Sequence, residues 1–262
     1  MKIVVCIKQV PDTTDIKVDP DTGALKRETA GTVMNPFDMY AVEEGLRLRE
    51  KLGGTVTVLT MGPPMAKEML KVTIGMGVDE AVLISDKKLA GSDTWATAYA
   101  LSKACEKAGF DLLIFGKQAV DGDTAHVGPS TATYLKIPSL TWVKKIRESS
   151  DTEITVEKMM EDGVDVVKTK LPAAITVVKE INEPRLESLK GKMRAKKYEP
   201  AVWSLEDIGG DESMVGLKNS PTRVAKSWSA TRQPGKAEML SGENEQIADT
   251  LFAKIKELGF IK

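Results

Sequence analysis

The chain of 262 residues contains one histidine, His126, and two cysteines, Cys6 and Cys105, neither in a Cys-x-x-Cys pair. A lone histidine excludes multi-histidine metal centres and His-Glu-x-x-His chemistry, and two separated cysteines exclude a cysteine-rich zinc site and suit a reducing compartment. No metal site is expected. Net charge is also nearly absent: 37 basic residues face 38 acidic ones. A formal charge of -1 gives no overall field to gather nucleic acid or an anionic membrane. No apolar run approaches the roughly 20 residues of a membrane span. The opening MKIVVCIKQV is too short an apolar run for a signal peptide, so cytoplasm is the expected location.

What is present is an alternation of short apolar segments and amphipathic ones. Ile3–Val10 reads as a buried strand. Asn35-Pro36-Phe37-Asp38 reads as a helix start, with Asn35 capping, and the helix runs to Leu52 before Gly53-Gly54 stops it. Further strands are expected at Thr55–Thr60, Ala81–Ser85, Leu112–Phe115 and Leu140–Val143. Helices fall between them: one ending near Gly75, then Asp93–Ala108 and Thr124–Leu135. This predicts an α/β fold, a doubly wound, mostly parallel sheet with helices on both faces. After Val143 the pattern changes. Glu153–Met160 and Val164–Lys170 flank Asp162-Gly163, a hairpin signature, and Ala173–Val178 reads as one more strand. The α/β domain is therefore expected over residues 1–198, with the hairpin and strand at about 144–179 and a basic surface segment at 182–198. Residues 199–262 are expected as an extended arm: Glu199–Leu240 is polar with no core-building period, and Glu243–Leu258 is an amphipathic helix with Ile247, Leu251, Ile255 and Leu258 in one stripe. That helix packs either on a partner or back on its own domain.

A parallel sheet binds ligands beyond the carboxyl ends of its strands. Three glycine-containing loops fall near such ends: Met61-Gly62-Pro63, Gly91-Ser92-Asp93-Thr94 and Asp121-Gly122-Asp123-Thr124. Helix starts there offer unpaired amides to phosphate, and Thr94, Thr97 and Thr124 add hydroxyls. None of these loops is a P-loop or a Gly-x-Gly-x-x-Gly. The plain alternative for Asp93 and Asp123 is helix capping. Aspartates beside a phosphate repel it, so backbone amides are expected to make the contacts. No nucleophile–base set and no carboxylate pair is readable, and His126 reads as a surface or capping residue. No catalytic side chain is expected, so any redox chemistry must belong to a cofactor. Met65, Met69 and Met76 read as core packing.

Several stretches, in order along nearly the whole chain, resemble electron-transfer flavoprotein β subunits. They are Met34-Asn35-Pro36-Phe37-Asp38 with Ala41-Val42-Glu43-Glu44, Gly116-Lys117-Gln118-Ala119, Leu171-Pro172-Ala173-Ala174 through Ile181-Asn182-Glu183-Pro184-Arg185, and Lys192-Met193-Arg194-Ala195-Lys196-Lys197. The resemblance implies a doubly wound domain and a C-terminal arm embracing an α subunit. It implies a nucleotide held near Cys6, by Asn35, Pro36, Phe37 and Asp38, by Met61 and Gly62, and by the loop from Asp121. Ordinary members hold AMP there; electron-bifurcating members hold a second FAD.

The bifurcating branch is resembled by Gly91-Ser92-Asp93-Thr94-Trp95-Ala96-Thr97 and by Asp121-Gly122-Asp123-Thr124-Ala125-His126-Val127-Gly128-Pro129, with His126 where that branch usually has Gln. The implied cofactor residues therefore include Gly91, Asp93, Thr94, Thr97, Gly116, Asp121, Gly122, Asp123, Thr124, Ala125, His126, Val127 and Gly128. This branch implies FAD taking hydride from NADH, with electrons passing to the α-subunit FAD, to a flavin-dependent acyl-CoA-type dehydrogenase, and to ferredoxin or flavodoxin. Leu189, within the basic segment Glu183–Tyr198, matches the leucine that anchors the dehydrogenase. An ordinary AMP-holding subunit is the alternative. An ATP-binding stress or signalling module on a similar fold is a remote one, since Gly116, Gly122 and Gly128 lack its glycine spacing.

Overall fold

The computed structural model describes residues 1–12, 31–225 and 238–261. Two compact units divide at residues 227 and 228.

The first unit is built on a nine-stranded sheet. Its strands are β1 (Lys2–Cys6), β4 (Thr55–Met61), β5 (Glu80–Ile84), β6 (Leu112–Gly116), β7 (Ser139–Ser149), β8 (Glu153–Met159), β9 (Val164–Lys170), β10 (Ala173–Val177) and β11 (Ala201–Trp203). Their order is β11-β5-β4-β1-β6-β10-β7-β8-β9. All pairs from β11 to β7 are parallel, and β7-β8-β9 continue antiparallel. A separate antiparallel ribbon joins β2 (Gln9–Pro11) to β3 (Thr32–Met34). The fold is thus the expected α/β class, with the hairpin added at one edge.

Alternation along β1 explains the layering. Ile3 and Val5 enter one core with α1 (Pro36–Leu52) and α2 (Lys67–Met76). Val4 and Cys6 enter the other with α3 (Thr94–Ala108) and Ala132 of α4 (Val127–Leu135). Both faces of the central parallel strands are covered, as such strands require. Cys6 and Cys105 meet in the second core with sulfurs 3.9 Å apart, and the contact with Cys105 together with burial pushes the Cys6 thiol well up. Met69 and Met76 join the first core as expected, but Met65 is exposed.

Four local expectations are corrected. The strand read over Ile3–Val10 ends at Cys6, and Gln9–Pro11 belongs to the small ribbon. The strand expected over Leu140–Val143 runs on to Ser149, because Ile146 continues to pack on the core and β8 pairs along its length. The basic segment contains α5 (Leu189–Lys197), capped by Ser188, whose hydroxyl accepts from the Gly191 amide at 2.9 Å. A side chain on Gly191 would collide with the Gly75 carbonyl at 2.0 Å, so glycine lets α5 close on α2. Finally, the stretch from Glu199 is not structureless. β11 extends the sheet, and Leu205, Ile208 and Val215 are buried in the second core. Its apolar residues are too widely spaced to give a period, yet each fills a place at the sheet's edge. A short helix, α6 (Gly216–Asn219), follows; residues 226–237 of the expected polar arm lie outside the described residues.

In the second unit, α7 (Asn244–Glu257) forms as expected and buries none of its residues.

Candidate functional site

The sheet order puts β1 where the chain changes direction: β4 and β5 lie on one side, β6 and β10 on the other. A crevice at the carboxyl ends is expected at such a point. A cleft of about 1260 Å³ lies there. Cys6, Ile7 and Lys8 line it beyond β1, Met61 at the end of β4, and Phe115 and Gly116 at the end of β6. Its walls include Asn35 and Asp38 of the α1 start, Gly91–Thr94 and Thr97 of the α3 start, and the loop from Lys117 to Gly128.

The Asn-Pro-Phe-Asp segment works differently from a simple helix cap. Asn35 makes no side-chain cap bond. It is fully buried; its amide donates to the Gln118 carbonyl at 2.8 Å, and its oxygen accepts from the Val120 amide at 3.1 Å. The side chain is therefore spent on shaping the loop after β6. Asp38 accepts from the Lys8 amide at 2.7 Å, tying the β1 exit to the same place. Burial pushes its carboxyl up to about 7, against hydrogen bonds from Asn35, Lys8 and Gly116 that lower it. Gly116 is needed here: a Cβ would lie 2.3 Å from the Asp38 carboxylate. Pro36 is exposed and Phe37 half-buried, and neither lines the cleft.

The loop after β6 places its acidic residues away from the cleft. Asp121 pairs with the Lys8 ammonium at 2.6 Å, and Asp123 accepts from the Gln118 side chain. Neither lines the cleft, whereas Gly122, Thr124, Ala125, His126, Val127 and Gly128 do. Asp123 and Ala125 have left-handed backbones, with φ of 52° and 55°. Those two residues interrupt helical geometry, so α4 begins at Val127 and not at Thr124. Strain of this kind in non-glycine residues concentrates at ligand sites. His126 occupies the cap position without any side-chain cap bond. The α4 start therefore keeps unpaired amides beside the cleft, with the dipole's positive end.

The α3 start is already occupied. One Asp93 oxygen accepts from the Trp95 and Ala96 amides at 3.0 Å each, so the capping reading of this residue holds. Its other oxygen accepts from the Thr222 amide at 2.9 Å and hydroxyl at 2.7 Å. Burial raises the Asp93 carboxyl, but the bonds from Ala96, Thr222 and Trp95 outweigh it and hold the group below the usual carboxylate range. The Trp95 and Ala96 amides at this helix start are thus satisfied internally, whereas the α4 start carries no side-chain cap. Gly62 lies beside Met61, donates its amide to Ile84 at 3.0 Å and does not line the cleft.

Sequence reasoning missed one wall. Leu217, Lys218 and Ser220–Val224 line the cleft. The Ser220 hydroxyl accepts from the Asp93 amide at 2.8 Å, and the Leu217 amide donates to Ala90 at 3.1 Å. Gly91, at φ 75°, lies against Leu217 so closely that a Cβ would come within 2.8 Å. No periodicity marks this strap; its one local signal is the turn chemistry of Ser220-Pro221-Thr222. Lys8 and Lys117 were also missed as lining residues.

This is a doubly wound α/β unit with the crevice at its switch point. Residues 22–208 match the electron transfer flavoprotein domain. The chain is 44% identical to the electron transfer flavoprotein subunit beta of Thermoanaerobacterium thermosaccharolyticum, over 97% of this chain and 98% of that one. It is 44% identical to the caffeyl-CoA reductase-Etf complex subunit CarD of Acetobacterium woodii, over 98% of both chains. It is 43% identical to protein FixA of Azotobacter vinelandii, over 97% of this chain and 94% of that one. The chain belongs to the electron-transfer flavoprotein β-subunit family, whose members carry electrons and pair with an α subunit. Among the described residues no helix is long and apolar enough to cross a membrane.

Proposed function

We propose that this chain is the β subunit of an electron-bifurcating flavoprotein acting in the cytoplasm. Its cleft holds FAD that receives hydride from NADH, with electrons leaving toward the α-subunit FAD and an acyl-CoA-type dehydrogenase, and toward ferredoxin or flavodoxin. The observation that carries this reading is the size of the cleft. At about 1260 Å³ it exceeds the roughly 300–1,000 Å³ usual for small-molecule sites, which favours a dinucleotide over AMP.

The lining fits such a group. The uncapped α4 start supplies amides for phosphate, and Lys117, Lys218 and Arg223 supply positive charge. Ile7, Leu101, Phe115 and Val127 offer apolar surface for rings. When bound, the flavin supplies a two-electron acceptor that can pass electrons on singly. The protein's part is to position, to exclude water and to keep Asp121 and Asp123 turned away from the phosphates. Hydride transfer to a flavin requires no acid–base side chain, consistent with the set of residues present.

Two outward features support the partner side of the proposal. Leu189 is 80% exposed at the start of α5 and its neighbour Leu186 is 90% exposed. A leucine so exposed beside basic residues suits an anchor for a dehydrogenase. The relative named for a caffeyl-CoA reductase complex supports an acyl-CoA-type partner. The direct experiment is anaerobic addition of NADH to the purified αβ complex with no dehydrogenase present. Flavin absorbance should bleach; an unchanged spectrum would return the protein to the ordinary, AMP-holding class.

A further inference from the structure

Lys117 is the first residue beyond β6, at the carboxyl edge of the sheet, and it lines the cleft. Its ammonium lies 4.3 Å from the centre of the Trp142 ring and 6.0 Å from that of Phe37. Among the described residues it pairs with no carboxylate, whereas Lys8 on the same cleft is bound to Asp121 at 2.6 Å. An aromatic face attracts an ammonium without neutralising it, so Lys117 is held in place with its charge still available to an anion.

Trp142 reaches that position at a cost. Its backbone φ is 59°, left-handed, within β7. The register explains how this is accommodated: Ile175 pairs with Leu140 and Val177 with Val143, so β7 carries one extra residue against β10. The bulge takes the Trp142 amide off the ladder, and the Thr176 hydroxyl accepts it instead at 3.1 Å. A bulge with a left-handed residue is normally met by glycine, which has no side chain to strain. Here a tryptophan occupies it, 42% exposed, so core packing does not account for the ring. Its indole face is turned to the Lys117 ammonium.

We propose that Trp142 is a positioning residue. It holds Lys117 at the cleft so that the ammonium meets a phosphate of the bound nucleotide. This inference rests on the nucleotide-binding reading given above, and the test separates the two.

The full-length chain in complex with its α subunit, freed of nucleotide from this cleft, is titrated calorimetrically with adenosine, AMP, ADP and FAD. Lys117→Met should weaken the three phosphorylated ligands by about 10-fold and leave adenosine unchanged, as expected for loss of one charge-assisted contact. Trp142→Gly accepts the left-handed backbone without strain, which offsets part of the packing lost with the ring, so the variant should fold, as its melting curve checks. It should nevertheless show the same phosphate-dependent loss, about 3- to 5-fold, while Trp142→Phe keeps an aromatic face and restores binding to within about twofold. Equal losses for adenosine and its phosphates would overturn the inference, because a merely structural role predicts them. So would wild-type affinities in Lys117→Met. Failure of the unsubstituted complex to bind any of the four ligands at this cleft would overturn the nucleotide reading as well.

Discussion

Asp38 is a carboxylate in an unfavourable place. Burial raises its folded pKa to about 7 from an ordinary value of 3.8. A carboxyl raised on folding contributes fully while protonated in both states, below about pH 4, and that contribution is lost as pH rises through 7. Stability should therefore fall between pH 4 and pH 7 relative to Asp38→Asn, by on the order of 4 kcal/mol across the window. Denaturant unfolding at half-unit pH steps tests this; parallel profiles for the two proteins would show that Asp38 is not the titrating group. The residue also illustrates what one-dimensional reading could and could not find. Asn35 was legible as a helix cap, and the resemblance placed both residues at the nucleotide. Their actual bonds run to Lys8, Gln118 and Val120, up to 85 positions away in the chain, which local patterning does not encode.

At the scale of elements, the segment 182–198 is pinned to α1 by one cation. Arg185 donates to buried Glu43 at 2.7 Å and to Glu50, and these bonds raise its pKa further. Burial raises Glu43, yet its bonds from Arg185 and Arg47 hold it below the usual range. Asn182 adds a bond to Glu44 at 2.9 Å. A rigidly held base with two exposed leucines is what a docking site requires. Leu189→Ala should weaken coupling to the dehydrogenase by about 10- to 100-fold, from the roughly 1.5–3 kcal/mol of a buried leucine, without changing flavin content. Steady-state electron transfer at varied dehydrogenase concentration measures it, and an unchanged half-saturation point would remove Leu189 from the interface. The helices and central strands were legible because their apolar periods are strong. The α4 start was misplaced because left-handed Ala125 is not a residue whose type announces that backbone.

The whole chain divides into a large α/β unit and a smaller C-terminal one. The sequence suggested that division but set it too early: Ala201–Trp203 completes the sheet's edge and Ser220–Val224 walls the cleft, both tertiary roles without a local signature. We propose that α7 packs on the α subunit. Its stripe of Ile247, Leu251 and Ile255, with Leu258 just past its end, is apolar and not buried among the described residues of its own unit. Deleting Ser241–Lys262 should loosen the heterodimer while the α/β unit stays folded, as read by co-purification and circular dichroism; co-purification at full-length affinity would mean the helix is not an interface element.

If the cleft holds a flavin dinucleotide, cofactor stoichiometry shows it most directly. Acid extraction of the purified αβ complex, resolved by chromatography against FAD and AMP standards, should give two FAD per heterodimer, the second from this cleft. One FAD and one AMP per heterodimer would contradict it.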